Sequence, residues 1–129
     1  AIDFCEDVPR LPKSEVDRIV AVFKKYGAQA KVSSIHVNGW FGSYDKLSMT
    51  TTFLKKEFGL SDQDILKRCC FCGDSPNDEP MFAHFPNSFA VANISDFLQD
   101  LKHKPHYIAN ERGGKGFAQI ASRILKTRT

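Results

Sequence analysis

From residue 46 onward, short apolar segments alternate with amphipathic ones, and this alternation constrains the fold more than any other feature of the chain. Strands that alternate with helices favour a parallel sheet with helices packed on both faces. Helices are predicted over 46–58, 76–84, 95–102 and 115–126, and strands over 68–72, 89–92 and 107–109. We therefore expect an α/β fold, a parallel sheet flanked by helices, for this part of the chain.

The first 42 residues follow a different pattern. A stripe of apolar residues at helical spacing predicts a helix over 14–26. Its members are Val16, Ile19, Val20 and Phe23. The segment 31–37 is rich in β-branched residues, which predicts a single strand. We interpret residues 1–42 as a separate α+β piece and residues 43–129 as the α/β piece.

Composition and charge exclude several classes of protein. Hydrophobic residues make up 42% and charged residues 26% of the 129 residues, which is typical of a globular chain rather than a disordered one. No apolar run approaches the roughly 18 residues that a membrane-spanning helix needs. The net charge of +3 is too small to indicate a polyanionic partner. Residues 101–129 hold 7 Lys/Arg against 1 Glu, and we interpret them as a solvated helix face, with nucleic-acid binding as the alternative.

Three of the four cysteines, Cys69, Cys70 and Cys72, lie in one short run, and Cys5 lies far from them. Such close spacing does not suit a disulfide framework, and the second ligand pair of a zinc site is missing. The run predicts a buried strand in which cysteines act as small hydrophobic residues. Free thiols in turn favour a reducing, cytoplasmic location.

The segment 73–78, GDSPND, carries the strongest chemical signal. Asp74 follows an apolar strand, and ligands bind at the carboxyl ends of strands in open α/β sheets. Asp74 and Asp78 bracket one turn, as suits Mg²⁺, which takes a few carboxylates together with water and phosphate. The same spacing also suits a helix start with Ser75 as N-cap and Asp78 three positions on. Spacing alone leaves a metal site and a helix cap equally open.

Lys46 is expected to lie near these carboxylates. In a parallel β-α-β unit, the connecting helix begins at the edge of the sheet where the following strand ends. Lys46 begins the predicted helix 46–58, and Asp74 ends the strand that follows. An ammonium group beside a metal-binding carboxylate places two positive centres around a phosphoryl group.

Together, the GDSPND segment and Lys46 in Tyr44-Asp45-Lys46 resemble the last two signature motifs of the haloacid-dehalogenase-like (HAD) hydrolase superfamily. With the downstream pattern and the segment 111–116, ERGGKG, the chain is similar to the IIB (Cof-like) phosphatases. The resemblance covers residues 30–129. It implies the C-terminal half of a Rossmann-like HAD core over 43–129 and the end of an α+β cap domain over 1–42.

The resemblance also implies a role for each matching residue. Asp74 would be a direct Mg²⁺ ligand, and Asp78 would support the metal and orient Lys46. Lys46 would neutralise the nucleophile and the transferring phosphoryl group, which makes Lys46 and Asp78 the catalytic candidates. Ser75 and Asn77, with Lys46, would bind the substrate by lining its phosphate pocket.

Three residues of the implied cap, His36, Asn38 and Trp40, would face the substrate. Their ordinary structural interpretations stay open: a histidine at a strand end, a turn asparagine and a packed aromatic ring.

The family's nucleophile motif, D-x-D after an apolar strand, is not found. Asp62 and Asp64 have the spacing but open a helical turn, and Asp3 has Cys5 two positions on. We therefore expect a C-terminal fragment of a Mg²⁺-dependent phosphomonoester hydrolase, acting on a sugar phosphate or similar small metabolite through an aspartyl-phosphate. The fragment alone would be inactive, and its partner would be the N-terminal half of the same protein.

Besides nucleic-acid binding by residues 101–129, two other functions stay open. One is a non-catalytic phosphate- or protein-binding module on the same fold. The other is an ion-pump phosphorylation domain, whose related motif reads G-D-x-x-N-D. The cap-like start and the lack of an apolar span after Asp78 speak against the pump.

Overall fold

The structure, a computed structural model, describes residues 1–127 and forms two compact units, Ala1–Tyr44 and a second that begins at Asp45. The division falls two residues after the predicted boundary at 42/43. Each unit has a hydrophobic core of its own.

The first unit is an antiparallel sheet with one helix on it. Its strands lie in the order β1 (Ile2–Asp3), β3 (His36–Trp40), β2 (Gln29–Val32). The helix α1 (Lys13–Lys25) presents the predicted apolar stripe to Val37, which is completely buried.

The prediction of a single strand over 31–37 is wrong, because the chain reverses direction within it. Strands β2 and β3 form an antiparallel hairpin, with Val32 opposite Val37. Ser33 closes the turn: its backbone N–H donates to the His36 carbonyl at 2.7 Å, and its hydroxyl oxygen accepts from the His36 N–H at 2.9 Å. Serine side chains offer the backbone such local bonds in competition with a continuous strand.

The second unit is a three-stranded parallel sheet with helices on both faces, which confirms the expected α/β architecture. Its strands lie in the order β4 (Phe71–Gly73), β5 (Ser88–Ala90), β6 (Tyr107–Ile108). Its helices are α2 (Lys46–Phe58), α3 (Asp62–Arg68), α4 (Glu79–His84) and α5 (Gly113–Lys126), with 3₁₀ turns at Pro76–Asp78 and Ala92–Phe97.

Neighbouring residues of β4 show how the two faces are covered. Successive side chains of a strand point to opposite faces. Phe71 packs with Ile65 of α3 and Phe85, which follows α4, whereas Cys72 packs with Ile120 of α5. The sheet is therefore covered by α3 and α4 on one face and by α5 on the other.

The predicted helix 95–102 is also wrong, since a 3₁₀ turn over Ala92–Phe97 takes its place. Contacts with distant groups hold this segment. The carboxylate of Asp96 is bound by Arg112, and Glu79 Oε1 accepts from the backbone N–H groups of Lys102 and His103 at 2.7 and 2.9 Å. These tertiary bonds outweigh the helical pattern of Phe97, Leu98 and Leu101.

The cysteine run is only partly a strand. Cys72 lies in β4, but Cys69 and Cys70 precede the strand, and Cys70 is exposed. All four cysteines are free thiols. Over residues 1–127, no helix is both long and apolar enough to cross a membrane.

Candidate functional site

A cavity of about 340 Å³ opens at the carboxyl edge of the parallel sheet in the second unit. Three segments meet there because each follows a strand: Asp74 comes after β4, Asn93 after β5, and Gly113 after β6 at the start of α5. The cavity is lined by Lys46, Phe71, Cys72, Gly73, Asp74, Asp78, Val91, Asn93 and Gly113.

Lys46 reaches the cavity because helix α2 begins at this residue. Asp45 caps the helix by accepting from the Ser48 N–H at 2.7 Å. The ammonium group of Lys46 forms an ion pair with Asp78 Oδ1 and lies 3.2 Å from Asn77 Oδ1. The structure thus brings the lysine and the acidic segment together, as the order of helix and strand predicts.

The carboxylate of Asp78 binds the other residues of this group together. Its side chain is only 3% exposed. Its Oδ1 binds Lys46, and its Oδ2 accepts from the backbone N–H groups of Asp74 at 2.9 Å and Ser75 at 3.3 Å. Gly73 makes room for it, since a Cβ on residue 73 would lie 2.5 Å from Asp78 Oδ2. Both oxygens of Asp78 therefore have protein partners, which favours support of the site over direct metal ligation.

Ser75 and Asn77 are expected to line the phosphate pocket, but neither is among the residues that line this cavity. Ser75 is 2% exposed, and its hydroxyl donates to Asn77 Oδ1 at 3.1 Å. The same amide oxygen accepts from Lys46. Their side chains are engaged in positioning the lysine instead of facing the cavity.

Asp74 is half-buried in the cavity wall beside Asp78. Burial, and then the negative charge of Asp78, raises the pKa of the Asp74 carboxyl above its ordinary value. A cation bound at this point would relieve both effects.

The residues fit Mg²⁺ as a site built on one direct carboxylate. Residues 1–127 contain no group of three or more His, Cys, Asp or Glu side chains arranged to hold a metal ion. Mg²⁺ does not need such a group, because it binds through one or two carboxylates and completes its shell with water and substrate phosphate. Asp74 supplies a hard oxygen donor for it at the cavity wall, whereas Asp78 is committed to other partners.

Cys72 also lines the cavity, but its chemistry does not suit a nucleophile. Burial, and then the neighbouring Cys70 and the two aspartates, raises the pKa of the Cys72 thiol. Reactive cysteines need the opposite shift, because the thiolate is the attacking species.

The carboxylates of Asp3 and Asp64, which could mimic a D-x-D nucleophile, are occupied by hydrogen bonds to residues close in sequence. Asp64 Oδ2 accepts from the backbone N–H and the hydroxyl of Ser61 at the start of α3. In the first unit, Asp3 accepts from the three backbone N–H groups that follow it, Cys5, Glu6 and Asp7, at 2.8 to 2.9 Å. Within the second unit, Asp64 does not line the cavity.

Strand β3 of the first unit carries the three residues that the resemblance assigns to the cap domain, His36, Asn38 and Trp40. Each is partly buried. Trp40 donates its indole N–H to the Tyr44 carbonyl at 2.9 Å, and His36 Nε2 lies 3.4 Å from Glu6 Oε2. Asn38 lies opposite Lys31 of β2. All three occupy the sheet face opposite Val37, which packs against α1.

Asn93 is a polar cavity residue that the sequence analysis did not identify, whereas Gly113 lies in the segment 111–116 that contributes to the resemblance. Asn93 follows β5 by three positions, so the rule that placed Asp74 at the carboxyl edge also applies to it. A search for polar residues just beyond each predicted strand would have found Asn93.

Comparison of the chain with protein-family models, with curated proteins and with solved structures gives no match.

Proposed function

We propose that this chain carries the lysine and metal-binding part of a Mg²⁺-dependent HAD-type phosphomonoester hydrolase. The substrate would be a sugar phosphate or a similar small phosphorylated metabolite. The observation that carries the proposal is the ion pair of Lys46 with Asp78, beside Asp74, in one cavity at the carboxyl edge of a parallel sheet. The four free thiols suit a cytoplasmic location.

Each residue of the chain has a definite task in this proposal. The Lys46 ammonium offers positive charge to phosphoryl oxygens, and Asp78 and Asn77 hold its Nζ in place. Asp74 would hold the metal ion, which supplies Lewis-acid stabilisation of phosphoryl oxygens when bound. The attacking carboxylate would come from an N-terminal half of the same protein, because Asp62 pairs with Lys55, Asp64 binds Ser61 at the start of α3, and neither lines the cavity.

A second candidate function is a non-catalytic phosphate-binding module, which would use the same lysine and carboxylate. The occupation of Asp3 and Asp64 by local hydrogen bonds favours it for the chain as it stands. A D-x-D segment upstream in the parent reading frame would argue for the hydrolase, and its absence would argue for the module.

The test of the proposed function measures turnover and binding separately on the purified 129-residue chain. With Mg²⁺ and p-nitrophenyl phosphate we expect no release of phosphate. In calorimetry we expect inorganic phosphate to bind only when Mg²⁺ is present, and Lys46→Met to weaken that binding at least tenfold by removing a charge-assisted bond.

Lys55→Met is the matched control, because Lys55 lies on the same helix and pairs with Asp62 outside the cavity. It should leave phosphate binding unchanged. Turnover that Asp74→Ala abolishes would show that the nucleophile lies within this chain. Phosphate binding that ignores both Mg²⁺ and Lys46→Met would contradict the proposal.

A further inference from the structure

Asn93 has an amide group whose orientation is fixed by its surroundings. The residue is half-buried, lines the cavity, and accepts with Oδ1 from the backbone N–H of Gly113 at 2.9 Å. A backbone N–H can only donate, so the amide oxygen must face Gly113. The two N–H donors on Nδ2 are therefore left for another partner, and residues 1–127 supply none.

The segments on either side of this contact are fastened to each other. The Asp96 carboxylate binds the Arg112 guanidinium through two hydrogen bonds of 2.8 and 2.9 Å. The Ala92 N–H donates to the Glu111 carbonyl at 3.0 Å. These contacts hold the loop after β5 against the start of α5, so the Asn93 amide is preorganised before any ligand arrives.

The remaining chemistry of the cavity indicates the kind of group that this amide would bind. Lys46 provides a positive charge, and Asn93 provides neutral N–H donors with no internal acceptor. Phosphoryl oxygens accept both kinds of bond, and a bond to a charged acceptor is about twice as strong as one between neutral groups.

We propose that Asn93 is a substrate-binding residue, which donates an Nδ2 N–H to an oxygen of the phosphoryl group in this cavity. The inference rests on the proposed function, since it names a further residue of the same site.

Nuclear magnetic resonance of the ¹⁵N-labelled 129-residue chain tests the contact directly. The side-chain NH₂ pair of Asn93 is assigned as the pair that disappears in Asn93→Asp. We expect inorganic phosphate with Mg²⁺ to shift this pair, while the NH₂ pairs of Asn87 and Asn110, which do not line the cavity, stay in place.

Two variants of Asn93 distinguish its binding of phosphate from its support of the loop after β5. Asn93→Ala removes donors and acceptor, and we expect phosphate affinity to fall about tenfold. Asn93→Asp keeps an acceptor for the Gly113 N–H but replaces the donors by a negative charge, so it should retain the wild-type thermal midpoint and lose phosphate binding through both changes.

The outcomes distinguish this inference from the proposed function. The proposed function stands if Lys46→Met weakens phosphate binding. The role of Asn93 is overturned even then if its NH₂ pair does not shift, or if Asn93→Ala or Asn93→Asp binds phosphate as tightly as wild type. If wild type itself does not bind phosphate, both fall.

Discussion

At the scale of single residues, the candidate site depends on the carboxylate of Asp78. One oxygen binds Lys46, and the other accepts from the backbone N–H groups of Asp74 and Ser75. The side chain is almost completely buried, so water cannot replace it as an acceptor for these groups. Asp78 therefore links the start of α2 to the end of β4.

We expect Asp78→Ala to lower the free energy of unfolding by about 2–4 kcal/mol, because two backbone N–H groups lose a buried, charged acceptor. Urea unfolding followed by circular dichroism measures the change. Asp64→Ala is the matched control: it also removes an aspartate that bonds to the first residues of a helix, but its side chain is 40% exposed and water can take over. A loss for Asp64→Ala as large as that for Asp78→Ala would contradict this account.

The position of a functional side chain was predictable where the side chain lies just beyond the end of a strand. Lys46 and Asp74 were placed at one edge by the order of helix and strand alone. The roles of Ser75 and Asn77 were not predictable in the same way, because they depend on which way a buried hydroxyl and an amide turn within one short loop.

At the scale of elements, helices with clear start and stop residues were predicted well, and segments held by distant partners were not. Asp45 caps the start of α2, and Gly59 ends it with a left-handed φ of 65°. Helix α2 has the predicted bounds, 46–58. The segment 31–37 looked like one strand because it is rich in β-branched residues and roughly alternating, but hydrogen bonds of a single serine, Ser33, make it a hairpin. The segment 95–102 does not form the predicted helix because Glu79 and Arg112 bind it, and no local pattern reveals these distant partners.

The start of α5 provides a prediction at this scale. A Cβ on Gly116 would lie 2.1 Å from the Glu111 carbonyl oxygen and 2.9 Å from Val91 Cγ1, whereas a Cβ on Gly114 would meet nothing within 4 Å. We expect Gly116→Ala to destabilise the chain by about 1–3 kcal/mol, since helix and loop must separate. Gly114→Ala should be neutral or stabilising by up to about 1 kcal/mol, because alanine favours a helix.

Thermal unfolding of the two glycine variants measures the difference between two positions in the same turn of helix. Equal midpoints would contradict the close packing of α5 on the loop that precedes it.

At the scale of the whole molecule, each of the two units has a core of its own, and no disulfide links any of the described residues 1–127. The first unit packs around Val37, and the second around residues such as Ile65 and Ile94, all of them completely buried. The division into an α+β piece and an α/β piece was predictable because the periodicity changes near residue 43. The antiparallel order β1-β3-β2 was not, since β1 is two residues long and the hairpin was missed.

Because all four cysteines are free, we expect the thermal midpoint to be the same with and without a reducing agent. Thiol titration of the protein denatured without reductant should give four reactive groups. In the native protein Cys70 should react fastest because it is exposed, and Cys70→Ser should remove that fast phase. Fewer than four thiols would reveal a cross-link and contradict the expected reducing environment.

The contact between Lys46 and Asp78 joins positions 32 apart in the sequence. Closing so long a loop carries an entropic cost that only the docking of α2, α3 and β4 offsets. We therefore expect the ion pair to form late in folding, after the apolar elements between its partners have packed. A phosphate analogue that needs this lysine in place would recognise only completely folded chains and would slow their unfolding without speeding their folding.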